Sequence, residues 1–392
     1  MTILFYKNGG ISPYLGGIAR INSDFRNELV KLGHKCFYIS LTTNESVVSD
    51  VCQKMLPVRE SEDCKENIAW LHEFLVDNKA DVIINNYFEK PVIHLLNEAR
   101  QGTNCKIITW IHNSEVEFGS LMGYYHEMRL KKNHLTILYT LLTLKPVVKL
   151  LRYHIRRKRK STTELCYSCS DRIVTVFDGN VDEFLFFLGH KDIDNKVLSI
   201  PNFVATPEEE IFIAEKEKSV VWCGVVECGR KKVNWMLDIW RMVQEEHPDW
   251  TLTIMGDGED LDAMKSYAGA KGVKRVVFAG RVNPEPYYRK AAIICSTAIS
   301  EPFGLAVVEG MQRRAVPVAF INSPSLRENV GFNGRGVEPF DKKEFAVELS
   351  HLMADDSLRE FLAEKSRIAS DRYDVKCIVP LWEKLFQILC SS

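Results

Sequence analysis

Nowhere in the 392 residues is there an apolar run that could cross a bilayer. The run that opens the segment 135–160 holds about ten apolar residues, where a spanning helix needs roughly twenty. Nor is there an excess of charge of either sign. Lys and Arg number 51 against 52 Asp and Glu, so the net charge of −1 lacks the basic face that general nucleic-acid binding requires. No G-x-G-x-x-G follows the first strand-like run, which disfavours a dinucleotide-dependent dehydrogenase. Solenoid-period repeats and low-complexity tracts are missing too. The start, MTILFYKNGG, lacks the apolar core and small-residue cleavage site of a secretory signal, so a cytoplasmic location is expected.

Cysteine is plentiful at eleven, yet what would make it a metal framework is lacking. Cys166-x-x-Cys169 has zinc-type spacing, but a structural site needs a second pair. Cys223 and Cys228 belong to a different segment, and Cys36, Cys105, Cys223 and Cys295 sit in or beside apolar runs as small hydrophobes. Reduced thiols and no metal are the expectation.

What is present is an ordinary soluble composition, 46% hydrophobic and 26% charged, in a chain long enough for two domains. Strand-like runs alternate with helical ones: TILFYK, KCFYIS, DVIINN, CKIITWIH and DRIVTVF, then SVVWCGV, TLTIMG, RVVFAG, AIICST and VPVAFI. Such alternation predicts parallel sheets with crossover helices. The architecture expected is α/β, with two Rossmann-like domains whose parallel sheets face a cleft. The boundary is placed in the acidic stretch after Asn202, giving domains 1–203 and 204–374. The last stretch, Val375 to Leu389, reads as an amphipathic helix with Trp382 and Leu385 on one face.

The most informative segment is SEPFGLAVVEGMQRR, which follows the apolar run AAIICSTAI. Glu301 lies in the turn, and a helix read from Phe303 onward places Glu309 on its second turn. Its first N–H groups, on Phe303, Gly304 and Leu305, have no partner within the helix. With the helix dipole they form a seat for phosphate, which Gly304 leaves open. Carboxylates on either side suit the hydroxyls that flank the diphosphate of a nucleotide-sugar.

Other residues carry weaker signals. Gly16-Gly17 before the first long helix fit a tight turn as well as a close approach of backbone to phosphate. Arg230, Lys231 and Lys232 follow SVVWCGV, where cations would stabilise a departing anion more than the ground state. His112 ends CKIITWIH, at a strand's carboxyl end. Gly256-Asp257-Gly258 and Gly280-Arg281 follow strands of the second half and fit the rim of a nucleotide-base site or plain turns. A nominal D-x-D, Asp260 and Asp262, reads as the start of a helix. Between Lys145 and Lys160 lie eight basic residues and no acidic one. Segment 135–160 is consistent with contact to an anionic membrane surface, or with a solvated basic face.

The Glu301 segment resembles the E-x7-E motif of retaining glycosyltransferases of family 4, which have the GT-B fold. YLGGIARINSDFRNELVKLGHKCFYIS, DRIVTVFDGNVDEFLFFLGH and VLSIPNFV resemble the family's first half. WCGVVECGRKKVNWMLDIW, WTLTIMGDGEDLDAMKS and VVFAGRVNPEPYYRKAAIICST follow in the family's order. The stretch from about Gly119 to Lys160 lies outside this resemblance. The resemblance implies a nucleotide-sugar donor held by the second domain, a saccharide or lipid-linked acceptor held by the first, and no cofactor or metal. It implies that Glu301 holds sugar hydroxyls, Glu309 the ribose, and Arg230 with Lys232 the leaving diphosphate. Gly16 and Gly17 would then face the donor phosphates, His112 the donor sugar or acceptor, and the terminal helix would return to the first domain. One departure stands out, since Gly224 is followed by Val225 where the family often has arginine. A hydrolase or epimerase on the same fold, or a silent binding module, remains an alternative.

Overall fold

The computed structural model describes residues 1–9, 16–42, 53–112, 145–204 and 215–391. Gly10, residues 113–144 (which include 135–144 of the basic segment) and the acidic stretch 205–214 lie outside the described residues. The chain divides into two compact units. One comprises Met1–Glu115, Arg152–Phe203 and Val375–Ser392; the other comprises Val204–Asp374 with Val116–Leu151.

In the first unit the chain runs β1 (Thr2–Tyr6), α1 (Gly17–Lys31), β2 (Lys35–Ser40), β3 (Gln53–Met55), α2 (Lys65–Asp77) and β4 (Val82–Asn85). It continues as α3 (Lys90–Ala99), β5 (Lys106–Ile111), α4 (Lys145–Cys169), β6 (Arg172–Thr175), α5 (Asp178–Leu188) and β7 (Val197–Ser199). Every strand pair is parallel, in the order β3-β2-β1-β4-β5-β6-β7. Because helices cover both faces of a parallel sheet, its central strands need apolar residues on both faces. Ile3, Leu4, Phe5, Ile83 and Ile84 accordingly have no exposed surface. Helix α1 buries Ala19, Ile21, Phe25 and Leu29, a stripe at helical spacing.

The second unit runs β8 (Glu217–Cys223), α6 (Val233–Val243), β9 (Thr251–Met255), α7 (Leu261–Ala270), β10 (Val276–Gly280) and α8 (Glu285–Lys290). Then come β11 (Ala291–Ser296), α9 (Leu305–Gln312), β12 (Val316–Phe320), α10 (Pro324–Val330), β13 (Arg335–Val337), α11 (Lys342–Ala354) and α12 (Asp356–Ser370). Its sheet is also parallel, ordered β10-β9-β8-β11-β12-β13. Trp222, Trp240, Trp250, Ile293, Phe320 and Leu349 belong to one buried cluster over it.

From there the chain returns to the first unit as α13 (Val375–Cys390). Trp382 on that helix is fully buried, its ring 4.9 Å from those of both Phe25 and Trp110. In each unit the strand order reverses beside its first strand, at β1/β4 and at β8/β11. Loops at the carboxyl ends of strands flanking such a reversal diverge and leave a crevice for ligands. The residues that matter are therefore those just after β1 and β4, and just after β8 and β11, with the end of β5 next to that of β4.

Candidate active site

In the second unit the loops after β8 and β11 are tied together. The Ile299 N–H donates to the Arg230 carbonyl at 2.9 Å. The Thr297 hydroxyl lies 3.1 Å from the carbonyl oxygens of both Lys231 and Lys232, and it accepts from the Trp222 indole N–H at 3.1 Å. Thr297 and Trp222 are buried, so these bonds fix the basic run against the end of β11. The Lys231 ammonium donates to a carboxylate oxygen of Glu301, and both side chains are mostly buried. Two residues seventy positions apart in sequence thus meet as an ion pair.

Lys232 is the least ordinary residue of the cluster. Only 1% of its surface is exposed, and it is the N-cap of α6 with φ 52° and ψ 43°. A left-handed conformation is costly for a residue bearing a Cβ, and burying an ammonium is costlier still. Its Nζ lies 5.0 Å from the centroid of the Trp235 ring, a cation–π contact. Arg230 is less available than the sequence suggests, because its Nε donates to Glu227 at 3.2 Å.

The helix at the end of β11 starts later than expected. Gly304, with φ 83°, is the N-cap of α9, and Leu305 is the first helical residue. Phe303 does not open the helix. Its ring is buried 5.0 Å from that of Tyr373 and its carbonyl accepts from Asn329 at 3.1 Å, while the left-handed Gly304 breaks the path into α9. Gly304 therefore meets a backbone requirement, and the Cβ it lacks would stand 3.1 Å from the Leu326 side chain rather than in an open seat for phosphate. Glu309 is half-buried on the second turn, where the sequence puts it. The Glu301 carbonyl accepts from the Ser325 hydroxyl at 2.6 Å, which steadies the turn before α9.

Gly256 has a packing reason of its own. With φ 133°, a Cβ there would stand 1.8 Å from the Gly224 carbonyl oxygen, so the ends of β8 and β9 touch backbone to backbone. Arg281 is exposed, with a long 3.7 Å contact to Asp257. The acidic string does begin a helix: Asp260 is the N-cap of α7 and accepts the Cys228 N–H at 2.7 Å, while Asp262 pairs with Lys265 at 3.0 Å. Among the described residues no group of three or more His, Cys, Asp or Glu could hold a metal ion. Cys166 is fully buried, and burial pushes its thiol up to about 12.

In the first unit Gly16, with φ 101°, is the N-cap of α1 and Gly17 is its first residue, both exposed. His112 follows β5 and is 7% exposed. Its Nε2 lies 2.9 Å from the Asn86 side-chain oxygen, and its ring packs 4.2 Å from that of Trp110. Burial first, and then the positive charge of Lys7, push its pKa down to about 3. Asn86 and Asn22, absent from the sequence-derived set, complete this arrangement. An asparagine on the apolar stripe of α1 is the signal that points to them.

Residues 217–355, which contain the basic run, Glu301 and α9, match the model of the family described as Glycosyl transferases group 1. Over 378 residues the chain is 23% identical to an uncharacterized glycosyltransferase of Haemophilus influenzae, covering 94% of this chain and 95% of that one. Two solved structures are similar over almost the whole length. Anabaena HepE in complex with UDP has a TM-score of 0.72 at 16% identity, covering 98% of this chain and 99% of that one. The pneumococcal O-GlcNAc transferase GtfA, in complex with UDP and GlcNAc, has 0.73 at 11%, covering 100% and 99%. At those identities the structural likeness speaks for the fold. The chain as a whole therefore has the GT-B fold, and residues 217–355 of its second unit match the group 1 glycosyl transferases.

Proposed function

We propose that the protein moves a sugar from a nucleotide-diphosphate sugar to an acceptor hydroxyl with retention of anomeric configuration. The observation that carries this reading is a coincidence of place. The matched family segment contains the Lys231–Glu301 pair, the buried Lys232 and the start of α9, all at the carboxyl ends of β8 and β11. UDP is named in the HepE and GtfA complexes, so a UDP-sugar is the first donor to test.

As the bond from the anomeric carbon to the diphosphate breaks, negative charge grows on the departing oxygen. Lys232 and the N–H groups opening α9 stabilise that charge, with Arg230 contributing once it leaves Glu227. Glu301, positioned by Lys231, holds sugar hydroxyls, and Glu309 holds the ribose. The acceptor hydroxyl attacks from the face that the diphosphate leaves, and the departing phosphate oxygen takes its proton. Gly256 and Arg281 border the base, while Gly16 and Gly17 offer the N-terminus of α1 to phosphate. The steps are written without a metal; Asp260 caps α7 and accepts the Cys228 amide, and Asp262 pairs with Lys265 on the surface.

Helix α4 exposes Leu150 and Tyr153 ahead of the basic Arg157, Lys158 and Lys160, which supports peripheral contact with an anionic membrane surface. Among the described residues no helix is long and apolar enough to cross a membrane. A role in polysaccharide or glycolipid synthesis follows from the same reading. The test is turnover of a UDP-sugar in the presence of a chelator, with the anomeric configuration of the product read by NMR. An inverted product, or a requirement for added divalent metal, overturns the mechanism.

A further inference from the structure

Three side chains of the first unit leave only one assignment of protons. Asn22 is fully buried, and its Nδ2 lies 2.8 Å from the Ile18 carbonyl, which can only accept. That contact orients the Asn22 amide, a choice that coordinates alone leave to the hydrogen-bond network. The same Nδ2 lies 3.0 Å from one end of the Asn86 amide, so that end is the oxygen. Its other end, the nitrogen, then faces the Tyr6 and Ile84 carbonyls at 3.4 and 3.5 Å, as a donor should. The Asn86 oxygen also receives His112 Nε2 at 2.9 Å, so Nε2 carries the proton. In a neutral imidazole the remaining nitrogen is then a bare lone pair. That nitrogen, Nδ1, is buried with no hydrogen-bond partner among the described residues.

We propose that Asn22 and Asn86 are positioning residues that hold His112 in the Nε2–H tautomer, so that Nδ1 accepts a hydrogen bond from a substrate hydroxyl. This rests on the glycosyl-transfer reading for the identity of the hydroxyl, but the tautomer stands apart from it. A buried acceptor without a partner is a standing cost that a hydroxyl donor removes on binding. His112 thereby orients a hydroxyl and gives it no proton. The relay also links α1, which begins at Gly16-Gly17, to the ends of β4 and β5.

The direct test is ¹⁵N NMR of imidazole-labelled protein at pH 7, comparing wild type with Asn86→Leu, Asn86→Asp and Asn22→Ala. The wild-type His112 should show a protonated Nε2 and an unprotonated Nδ1. Asn86→Leu removes the acceptor, so a mixture of tautomers should appear, with kcat lower by about tenfold and the donor KM little changed. Asn86→Asp keeps an acceptor on Nε2 and should restore the tautomer, while its carboxylate favours imidazolium and adds an acid limb to the pH profile. Asn22→Ala frees the Asn86 amide to turn and should loosen the tautomer less than Asn86→Leu does. A wild-type ring with the proton on Nδ1 overturns the proposal, as does an unchanged tautomer in Asn86→Leu. The correct tautomer in a protein that turns over no nucleotide-sugar would leave the positioning intact and refute the glycosyl-transfer reading instead.

Discussion

Lys232 concentrates the residue-scale argument, because its backbone and its side chain are both held in costly states. A left-handed lysine with 1% of its surface exposed is retained only where the surrounding structure over-determines it, and such sites cluster at functional positions. Lys232→Ala should fold and lose roughly a hundredfold or more in kcat. Lys232→Gly removes the same ammonium but relieves the φ of 52°, so it should be the more stable of the two by about 1 kcal/mol. Thermal unfolding beside kcat checks both; near-wild-type turnover in either variant would refute the role. His112 gives a separate prediction with a definite sign. The unfolded chain protonates this ring near pH 6.5, the folded protein only near 3. The folded state therefore loses stability as pH falls from about 6.5 toward 3, where unfolded chains bind the extra proton. Denaturant titrations of wild type and His112→Phe at pH 7 and pH 5 should show the wild type losing ground at pH 5. A constant difference between the two would contradict the buried neutral ring.

At the scale of elements, the long central strands were legible and the short ones were not. TILFY, VIIN, KIITWI and AAIICS are runs of apolar residues because both faces of a parallel sheet are covered, which is a signal any window detects. β3, β7 and β13 have three residues each and lie at sheet edges, too short to show a period. Helix α9 shows the other limit. Its apolar pattern extends back to Phe303, but a positive φ at Gly304 is a tertiary decision that moves its start to Leu305. The candidate site was legible wherever a residue follows a strand, as Lys231, Lys232, Glu301 and His112 do. It was illegible where partners come from distant segments, as with Thr297 under the basic run, Glu227 on Arg230, or Asn86 on His112. Two element-scale predictions follow from packing. Gly256→Ala forces a Cβ onto the Gly224 carbonyl and should destabilise the protein by at least ~2 kcal/mol, or prevent folding. Trp382→Ala removes the ring that α13 inserts against Phe25 and Trp110, costing about 3–5 kcal/mol. Equilibrium unfolding measures both, and a loss below ~1 kcal/mol in either would contradict the packing account.

For the whole molecule, two sheets with the same 3-2-1-4-5-6 core order bring their chemistry to the same kind of place. Each has a reversal of strand order beside its first strand, and in the second unit the Lys231–Glu301 pair lies at the strand ends flanking it. Within the second unit, a cation run and a glutamate turn seventy positions apart in sequence meet in this way. Nucleotide release decides whether the protein transfers a sugar from a nucleotide-sugar. Purified protein is mixed with a panel of UDP-, GDP- and ADP-sugars, and released nucleotide is followed with and without saccharide or lipid-linked acceptors. The account predicts release from one class of donor, faster with an acceptor and abolished in Lys232→Ala. Absence of release and of binding for every donor, with acceptors present, would contradict it.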